Sequence, residues 1–416
     1  MSEGSPRSPV VMKFGGSSLA TPERVRVVAE RIARRHRQGD AVVAVVSAQG
    51  DTTDELLARL HELAPDPPAR EVDMLLATGE QQSAALVAAT LGTFGVSAVS
   101  LTGWQAGIVT DPSHRRARIH GIAPERIRRL LAAGHVVVVA GFQGLNDLGD
   151  VTTLGRGGSD LTAVALAASL GGTCEIYSDV DGVYTADPRI VPDAHRLETI
   201  SYDEMMELAA LGAQVLQARA VEHAWQHGVE VQARSTFADG PGTKVLAGTG
   251  TERIQPVTGT ALDRSVARIL CERVPDRPGI AAQIFDALAE GPINVDVIVQ
   301  SPSHEGRTDI AFTVSEEDAL PAEEIARAAV ARLGGGHVSR DADVAKVSLV
   351  GAGMVSRPGV ASRVFRTLAD EGVNIIAIST SEIKISCLVR REDGQRSLQA
   401  VHRAFGLGEG QEEQAE

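Results

Sequence analysis

Short runs of apolar, mostly branched residues alternate with longer amphipathic segments over about the first 245 positions of this 416-residue chain. The apolar runs predict strands at 10–14, 41–47, 97–102, 136–142, 175–178 and 230–233. Apolar residues at helical spacing predict helices at 23–37, 54–63, 80–91, 124–133, 160–170, 202–209 and 213–227. Because the strands are apolar at successive positions, both of their faces should be buried. The pattern predicts an α/β fold, with helices covering both sides of a mostly parallel sheet.

The C-terminal part of the chain repeats itself after a Gly-, Thr- and Pro-rich stretch at 238–256, which indicates a linker. Arg277-Pro-Gly-Ile-Ala and Arg357-Pro-Gly-Val-Ala are 80 positions apart, and Asn294 matches Asn374 at the same offset. Each copy predicts a strand, a Pro-Gly turn, a helix and further strands. The turn leaves N–H groups free at the N-terminus of the helix, and such groups suit the carboxylate of an amino acid. This favours a pair of ligand-sensing modules. A duplicated structural module without a ligand is the alternative.

Composition excludes several classes of function. The net charge is −14 and no long basic tract is present, so nucleic-acid binding is disfavoured. Three widely spaced cysteines indicate buried thiols in a reducing cytoplasm and no metal site. No apolar run approaches the ~20 residues that a membrane span needs, and the first nine residues lack the apolar core of a signal peptide. A cytoplasmic protein without a membrane partner is therefore predicted.

Two glycine-rich loops follow predicted strands and carry charged residues. Lys13-Phe-Gly-Gly-Ser-Ser ends the first strand, and Arg156-Gly-Gly-Ser-Asp160 precedes a predicted helix. Glycines let backbone N–H groups approach phosphate oxygens, and phosphoryl transfer needs such donors together with cations. Ordinary strand-to-helix turns would explain one Gly-Gly pair, but two charged loops favour phosphate binding.

These motifs resemble those of bacterial aspartate kinases, members of the amino-acid kinase superfamily, from about residue 10 to residue 407. The other motifs that carry the resemblance are Val46-Ser-Ala-Gln-Gly-Asp-Thr-Thr-Asp-Glu-Leu56, Thr78-Gly-Glu-Gln, and the blocks at 154–160 and 176–189. No P-loop sequence is present. The resemblance implies a three-layer αβα sandwich followed by two α+β, ferredoxin-like ACT domains. The implied segments are a disordered tail (1–9), the catalytic domain (10–245), a linker (246–256), ACT domains at 257–340 and 341–407 that may share strand 254–263, and a second disordered tail (408–416).

The resemblance also implies an activity, in which ATP with Mg²⁺ phosphorylates L-aspartate to 4-phospho-L-aspartate, the first step towards lysine, threonine and methionine. Lysine, threonine or both are the expected effectors, and a homo-oligomer is expected to form through the ACT domains. Two alternatives stay open because the chain departs from the usual motifs. Gln214 replaces a common lysine, which would fit a catalytically weak regulatory paralogue. Arg115 adds bulk in the His114-Arg-Arg-Ala-Arg segment, which would fit an aspartate-like substrate in a specialised pathway.

Roles for individual residues follow from the resemblance at matching positions. The expected catalytic residues are Lys13, on the β- and γ-phosphates, and Asp160, which would hold Lys13 and organise Mg²⁺–ATP. The expected aspartate-binding residues are Ser47, Thr53, Glu80, Arg156, Gly157, Gly158 and Ser159. The expected nucleotide contacts are Lys13, Gly15, Gly16, Ser17, Ser178, Asp179, Tyr184, Asp187, Arg189 and Gln214. The expected effector contacts are Asp276, Ala281, Asn294, Asp296, Gln300, Asn374, Ile375, Ser381 and Glu382.

Simple structural roles compete with several of these assignments. Asp160 would look the same in sequence if it were a helix N-cap, and Thr53 or Asp51 could cap the helix predicted at 54–63. Glu80 could be an acid favoured by the dipole at a helix N-terminus rather than an acceptor for the substrate ammonium. The guanidinium of Arg156 has the fork geometry that suits a carboxylate.

Overall fold

The computed structural model describes residues 8–211, 215–248 and 256–408. The chain forms two compact units. The first unit contains Met1–Val183 and Arg196–Thr251, and the second contains Tyr184–His195 and Glu252–Glu416. A short segment that lies within the first unit in sequence therefore belongs to the second unit in space. None of the described helices is long and apolar enough to cross a membrane.

The first unit alternates strands and helices as the apolar pattern predicts. Its elements are β1 (Val10–Phe14), α1 (Gly16–Leu19), α2 (Pro22–Arg37), β2 (Val42–Val46), α3 (Thr52–Leu63), α4 (Ala69–Thr93), β3 (Ala98–Leu101), β4 (Ile108–Thr110), β5 (Ile119–Ile122), α5 (Glu125–Ala132), β6 (Val136–Ala140), β7 (Gln143–Leu145), β8 (Val151–Thr153), α6 (Gly158–Leu170), β9 (Thr173–Ser178), β10 (Thr199–Ser201), α7 (Tyr202–Ala210), α8 (Ala218–His227), β11 (Val231–Ser235) and β12 (Thr243–Leu246).

An eight-stranded sheet with the order β10-β12-β11-β9-β1-β2-β6-β3 forms the centre of the described part of this unit. Its pairs are parallel except for β11 with β12. Along β1, Val10, Met12 and Phe14 pack into a core with α2 and α4, whereas α6 contacts the same strand from the other side. Side chains alternate along a strand, so Lys13 projects towards the α6 side. Helices on both faces of a mostly parallel sheet confirm the predicted fold class.

Several elements differ from the sequence prediction. Helix α4 begins at Ala69 rather than at position 80 and runs through Gly79, where an added Cβ would lie 2.8 Å from the Ala48 side chain. Strand β12 lies inside the stretch predicted to be a linker, and it pairs with both β10 and β11. The strands that were not predicted in this unit have only three or four residues, too few for an apolar pattern to stand out.

The second unit contains β13 (Gly259–Asp263), β14 (Val266–Pro275), α9 (Ile280–Glu290), β15 (Asp296–Gln300), β16 (Arg307–Ser315), α10 (Ala319–Arg332), β17 (His337–Asp341), β18 (Val344–Val350), α11 (Val360–Asp370), β19 (Ala377–Thr380), β20 (Lys384–Arg390) and α12 (Gly394–Ala404), with 3₁₀ turns at Ala352–Met354 and Arg391–Asp393. Two four-stranded antiparallel sheets have the orders β15-β16-β14-β17 and β13-β18-β20-β19. Strand β13 thus precedes the first copy of the repeat in sequence but pairs in the sheet of the second.

A buried lysine connects the two sheets of the second unit. Lys346 on β18 is 4% exposed, and its Nζ lies 2.6 Å from Asp296 Oδ2 on β15 and 3.7 Å from Asp263 Oδ2 on β13. The ammonium holds the pKa of the Asp296 carboxyl below its usual value, although burial opposes this effect. A buried cation is tolerated only when carboxylates pair with it, and here they come from both sheets.

The segment Tyr184–His195 is tied closely into the second unit. The Thr185 carbonyl accepts a hydrogen bond from the Thr260 N–H (2.7 Å), and the Thr185 hydroxyl donates to the Leu407 carbonyl (2.9 Å). The Thr185 hydroxyl also lies 2.9 Å from Nε2 of the buried His402. Ala186, Val191 and Ala194 are buried in the core formed with α11 and α12. These contacts explain why the segment belongs to this unit.

Candidate active site

A cavity of about 380 Å³ opens in the first unit where several strands of the large sheet end. Parallel strands bring their C-terminal ends to one edge of a sheet, which is where such folds bind ligands. The lining residues come from the ends of β1, β2, β6 and β9, from the loop before α6, and from α3 and α4. Among them are Lys13, Gly15, Gly16, Ser17, Ser47, Thr53, Glu80, Arg156, Gly157, Gly158, Ser159, Asp160, Ser178 and Asp179.

Lys13 and Asp160 form an ion pair inside this cavity. The Lys13 Nζ and Asp160 Oδ1 atoms are 2.6 Å apart, with the side chains 13% and 7% exposed. Asp160 lies in the first turn of α6, whose N-cap is Gly157 in the left-handed region (φ 75°). The N-cap interpretation of Asp160 is therefore wrong. The carboxylate instead fixes the direction of the ammonium, which leaves a positioned cation beside the glycine loops.

One glycine in each loop is required by a close contact. A Cβ on Gly16 would lie 2.8 Å from the Ala48 carbonyl oxygen, and one on Gly157 would lie 2.1 Å from the Gln217 side chain. Gly157 also has a positive φ, which favours glycine. Helix α6 begins at Gly158, so its N-terminal peptide dipoles face the cavity beside Lys13. Anionic groups are attracted to such a surface.

Glu80 is a buried carboxylate with an unused acceptor. It is 3% exposed and lies in the interior of α4, eleven residues after the helix begins, so the interpretation as a helix N-terminal acid is wrong. Its Oε1 accepts from the Ala48 N–H (3.1 Å), whereas its Oε2 is buried without a hydrogen-bond partner within the described residues. Burial raises the pKa of the Glu80 carboxyl to about 7. Because Glu80 lines the cavity, its unpaired buried oxygen could be satisfied by a donor group of a ligand.

Arg156 lies at the exposed rim of the cavity, between two glycines with positive φ (Gly155, 77°; Gly157, 75°). The backbone before it is clamped by Arg219 on α8, which donates to the carbonyls of Leu154 (2.6 Å) and Ala117 (3.3 Å). The guanidinium of Arg156 is thus carried on a short loop with a fixed base.

The remaining predicted contacts fall into three groups. Ser17, Ser47, Thr53, Ser159, Ser178 and Asp179 line the cavity. Thr53 is the second residue of α3, and the N-cap residue Asp51 makes no side-chain capping bond, so neither capping interpretation holds. Tyr184, Asp187 and Arg189 belong to the second unit, where the Arg189 guanidinium pairs with Asp187 (2.8 Å) and lowers the pKa of that carboxyl. Gln214 lies outside the described residues.

Sequence reasoning missed some residues of the cavity. Gln217 packs on Gly157, and Phe142 lines the wall with a left-handed backbone (φ 68°) that is unusual for a non-glycine residue. Phe142 is the last residue of the strand predicted at 136–142, and its place at a strand end is a weak signal for a site residue. Nothing local in the sequence marks Gln217. Within the part of the chain that the structure describes, no cluster of three or more His, Cys, Asp or Glu side chains could hold a metal ion.

The predicted effector residues lie in the second unit. Each Pro-Gly turn places a left-handed glycine at a helix N-cap, Gly279 before α9 and Gly359 before α11. Strands β15 and β19, one from each repeat, approach each other. The residues on or beside these turns and strands are Asp276, Ala281, Asn294, Asp296, Gln300, Asn374, Ile375, Ser381 and Glu382. Most of them are exposed; Ala281 and Ile375 are partly buried.

Comparison with known proteins agrees with this organisation. Residues 8–233 match the amino acid kinase family, and residues 269–329 and 347–405 match the ACT domain. The chain is 50% identical to an aspartokinase of Corynebacterium efficiens and 48% identical to one of Mycolicibacterium smegmatis, over 96% of each chain. It also resembles the solved structure of E. coli aspartokinase III in complex with aspartate and ADP (TM-score 0.79, 26% identity, 95% of this chain and 99% of that one). The same enzyme with lysine and aspartate gives a TM-score of 0.73 at 25% identity over 96% and 99% of the two chains. The chain therefore belongs to the amino acid kinase family and, within it, to the aspartokinases.

Proposed function

We propose that this protein is an aspartate kinase that transfers the γ-phosphoryl group of ATP to the β-carboxylate of L-aspartate. The observation that carries this proposal is the cavity that combines a paired Lys13, glycine loops at a helix N-terminus and a buried Glu80 with an unused oxygen. The first two features suit phosphate, and the third suits an ammonium group. A substrate that carries both an amino group and carboxylates fits this combination.

The proposed phosphoryl transfer requires little covalent chemistry from the protein. An oxygen of the substrate β-carboxylate, already ionised at neutral pH, attacks the γ-phosphorus. The new P–O bond forms as the bond to the bridging oxygen of ADP breaks, in line with the attack. Lys13, oriented by Asp160, stabilises the charge on the transferred group and the leaving oxygen. No general base is required.

We assign further residues of the cavity to the rest of the aspartate molecule. Glu80 Oε2 accepts from the substrate ammonium, and Arg156 on the rim binds the α-carboxylate with its fork of donors. Ser47, Thr53 and Ser159 supply further hydrogen bonds, and the backbone at Gly157–Gly158 lies close to the bound anion. Binding both ends of the amino acid positions its β-carboxylate for attack.

Nucleotide binding is assigned to the other side of the cavity. Gly15, Gly16 and Ser17 at the start of α1, with Ser178 and Asp179 after β9, would contact ATP. Tyr184, Asp187, Arg189 and Gln214 are assigned to the nucleotide by the family resemblance. Magnesium enters as the MgATP substrate complex, where it keeps waters and phosphate oxygens as ligands and needs few protein carboxylates.

The ACT pair is proposed to bind an amino-acid effector and to mediate homo-oligomerisation. The supporting observations are the two left-handed Gly N-caps and the neighbouring Asn294 and Asn374. Lysine, threonine or both are the proposed ligands, because the chain belongs to the aspartokinases and the E. coli relative was solved with lysine. Ser301-Pro302 departs from the usual family motif, and weaker inhibition by threonine than in typical relatives is therefore expected.

A coupled assay of ADP release with MgATP and L-aspartate, run with and without lysine and threonine, tests the activity and its regulation together. Aspartate-dependent ADP release and trapping of the acyl phosphate with hydroxylamine are expected. No turnover with aspartate would reject the proposal in favour of a regulatory paralogue. A panel of aspartate-like carboxylates distinguishes a retuned substrate specificity.

The pH dependence of aspartate binding follows from Glu80. Because burial raises the pKa of its carboxyl to about 7, the group becomes the anion that an ammonium requires only as the pH rises through that value. We expect the KM for aspartate to fall roughly tenfold between about pH 6 and pH 8, while the KM for ATP stays nearly constant. Initial rates across this range measure both constants, and Glu80→Gln should flatten the aspartate profile. An aspartate KM that does not change across this range would assign Glu80 no contact with the ammonium.

The same shift in pKa predicts a stability effect of opposite sign. Between about pH 4.5, the usual value, and about pH 7, folded Glu80 holds a proton that the unfolded chain has released. The contribution of Glu80 to the free energy of unfolding therefore decreases as the pH rises through this window. Glu80→Gln should be more stable than the native protein at about pH 8 in thermal unfolding, and the difference should shrink towards about pH 5.

Gln214 provides a test of whether this chain is a slow kinase. Glutamine donates a hydrogen bond but carries no charge, so one cation that relatives supply to the phosphates is absent. We expect Gln214→Lys to raise kcat at least severalfold, measured in the coupled assay at saturating substrates. Gln226→Lys is the matched control, since it adds the same charge at an exposed position of α8 that does not line the cavity. An unchanged kcat in Gln214→Lys would show that the departure is neutral or compensated elsewhere.

A further inference from the structure

Asp73 is a fully buried carboxylate on α4 that lies outside the cavity lining. Its Oδ1 accepts from the Thr153 hydroxyl (2.6 Å) and its Oδ2 from the Thr153 N–H (3.1 Å). Both oxygens lie within 3.1 Å of the Arg115 N–H, and Oδ2 is 2.9 Å from His114 Nδ1. Four donor groups, two from Thr153 at the end of β8 and two from the segment at 114–115, thus converge on one carboxylate. Burying a carboxylate is costly unless its oxygens are satisfied in this way.

The two donor groups of Thr153 lie at the base of the loop that carries Arg156. Thr153 is the last residue of β8, and only Leu154 and Gly155 separate it from Arg156. The Thr153 carbonyl accepts from the Ala117 N–H (2.9 Å), so the same strand end is also tied to the segment after Arg115. A Cβ on Gly155 would lie 2.9 Å from the Arg115 carbonyl oxygen, so the two loops are in close contact.

Arg115 shows that this contact is held under strain. It has φ 67°, in the left-handed region that only glycine adopts without penalty, and its N–H points at Asp73. Strained backbone persists where neighbouring groups determine it, and such positions cluster at functional sites. The carboxylate is the group that determines it here.

Helix α4 also carries Glu80, seven residues after Asp73. Seven residues correspond to about two helical turns, so both carboxylates project from the same side of one rigid helix. Glu80 reaches the cavity directly, and Asp73 reaches it through the loop that carries Arg156. One helix therefore sets the position of both groups assigned to the two ends of the amino acid.

We propose that Asp73 is a positioning residue for substrate recognition, which holds Arg156 at a fixed distance from Glu80 through Thr153 and Arg115. This inference rests on the proposed function, since it assumes that Arg156 and Glu80 bind the same aspartate molecule. It assigns a functional role to a residue that touches no substrate.

The test is Asp73→Asn, which keeps the size and shape of the side chain. Its amide NH₂ cannot accept hydrogen bonds from the donor groups around it. Because one or two of the buried bonds are lost, the KM for aspartate should rise about tenfold or more, while the KM for ATP changes less than about twofold. Asp111→Asn is the matched control. The Asp111 carboxylate also accepts hydrogen bonds from two backbone N–H groups, of Ser113 (3.0 Å) and Arg118 (3.2 Å), in the segment between β4 and β5 that contains Arg115. These bonds do not involve β8. Both KM values of this control should stay at the native level.

A second variant separates positioning from folding. Arg115→Gly removes the penalty of the left-handed backbone, so the loop needs less restraint from the carboxylate. Added to Asp73→Asn, it should return the KM for aspartate at least partly towards the native value. Amide hydrogen exchange, which needs no substrate, should be faster in Asp73→Asn at residues 114–117 and 153–157 than in the control.

The outcomes distinguish the inference from the function on which it rests. If the native protein does not phosphorylate aspartate, the proposed function fails, whatever hydrogen exchange shows. If the native protein is active but Asp73→Asn leaves the aspartate KM unchanged, or raises both KM values equally, the positioning role is overturned. Loss of stability without a change in the KM ratio also overturns it.

Discussion

Replacing Lys13 with methionine should lower kcat by about 10²–10³-fold, because the reaction loses a preorganised cation at the transferred phosphoryl group. The Nζ of Lys13 lies 2.6 Å from Asp160 and only 13% of its side chain is exposed, so bulk water cannot replace the charge. The KM values should change less than kcat, since the missing interaction strengthens as charge develops in the transition state. Steady-state kinetics with both substrates varied measure the effect.

Lys13→Met also leaves the Asp160 carboxylate buried without its partner, which should cost about 3–5 kcal/mol of stability. The double variant Lys13→Met/Asp160→Asn removes both charges and should recover most of the thermal stability without recovering activity. This pair of variants separates the structural role of the ion pair from its role in catalysis. Recovery of activity together with stability would show that Lys13 acts only through the fold.

Arg156→Ala is expected to raise the KM for aspartate far more than the KM for ATP. Loss of a charge-assisted pair should cost roughly 2–5 kcal/mol of binding, which corresponds to about thirtyfold to several thousandfold. Arg156→Lys should recover only part of this, because lysine keeps the charge but not the planar fork. Initial rates at varied aspartate and at varied ATP give the two constants.

Arg118→Ala serves as the control for Arg156→Ala. Arg118 is an exposed arginine in the segment between β4 and β5, and it does not line the cavity. Its loss changes the net charge by the same amount as the loss of Arg156. Its KM values should match those of the native protein. Equal increases in both KM values for Arg156→Ala would assign Arg156 to the nucleotide rather than to aspartate.

The sequence predicted the large sheet well because its strands are continuous apolar runs. The same pattern could not place the ends of α4, since a glycine at position 79 usually lowers helix propensity and only its contact with Ala48 explains why it is tolerated. Strand β12 was missed because Gly and Pro near it favour a loop, and its parallel pairing with β10 comes from a strand that is distant in sequence. Local propensity cannot report such pairing.

For the candidate site, ordered motifs brought the right side chains to one cavity, including Lys13, Glu80 and Arg156. Their supporting groups were not predictable. Asp73 contacts Thr153 across 80 positions, and Arg219 contacts Ala117 across 102. No periodicity or spacing within one segment encodes such contacts, and Asp73 lies before the helix that the sequence predicts at 80–91.

The segment Tyr184–His195 has a consequence for how the chain is synthesised. The Thr185 hydroxyl in this segment is hydrogen-bonded to His402 and Leu407, which follow it in sequence by 217 and 222 positions. At translation rates of about 5–20 residues per second, the segment waits about 10–45 s before these partners emerge from the ribosome. During that time Ala186, Val191 and Ala194 lack the core that buries them in the finished protein. The second unit can therefore complete its core only after almost the whole chain has been synthesised.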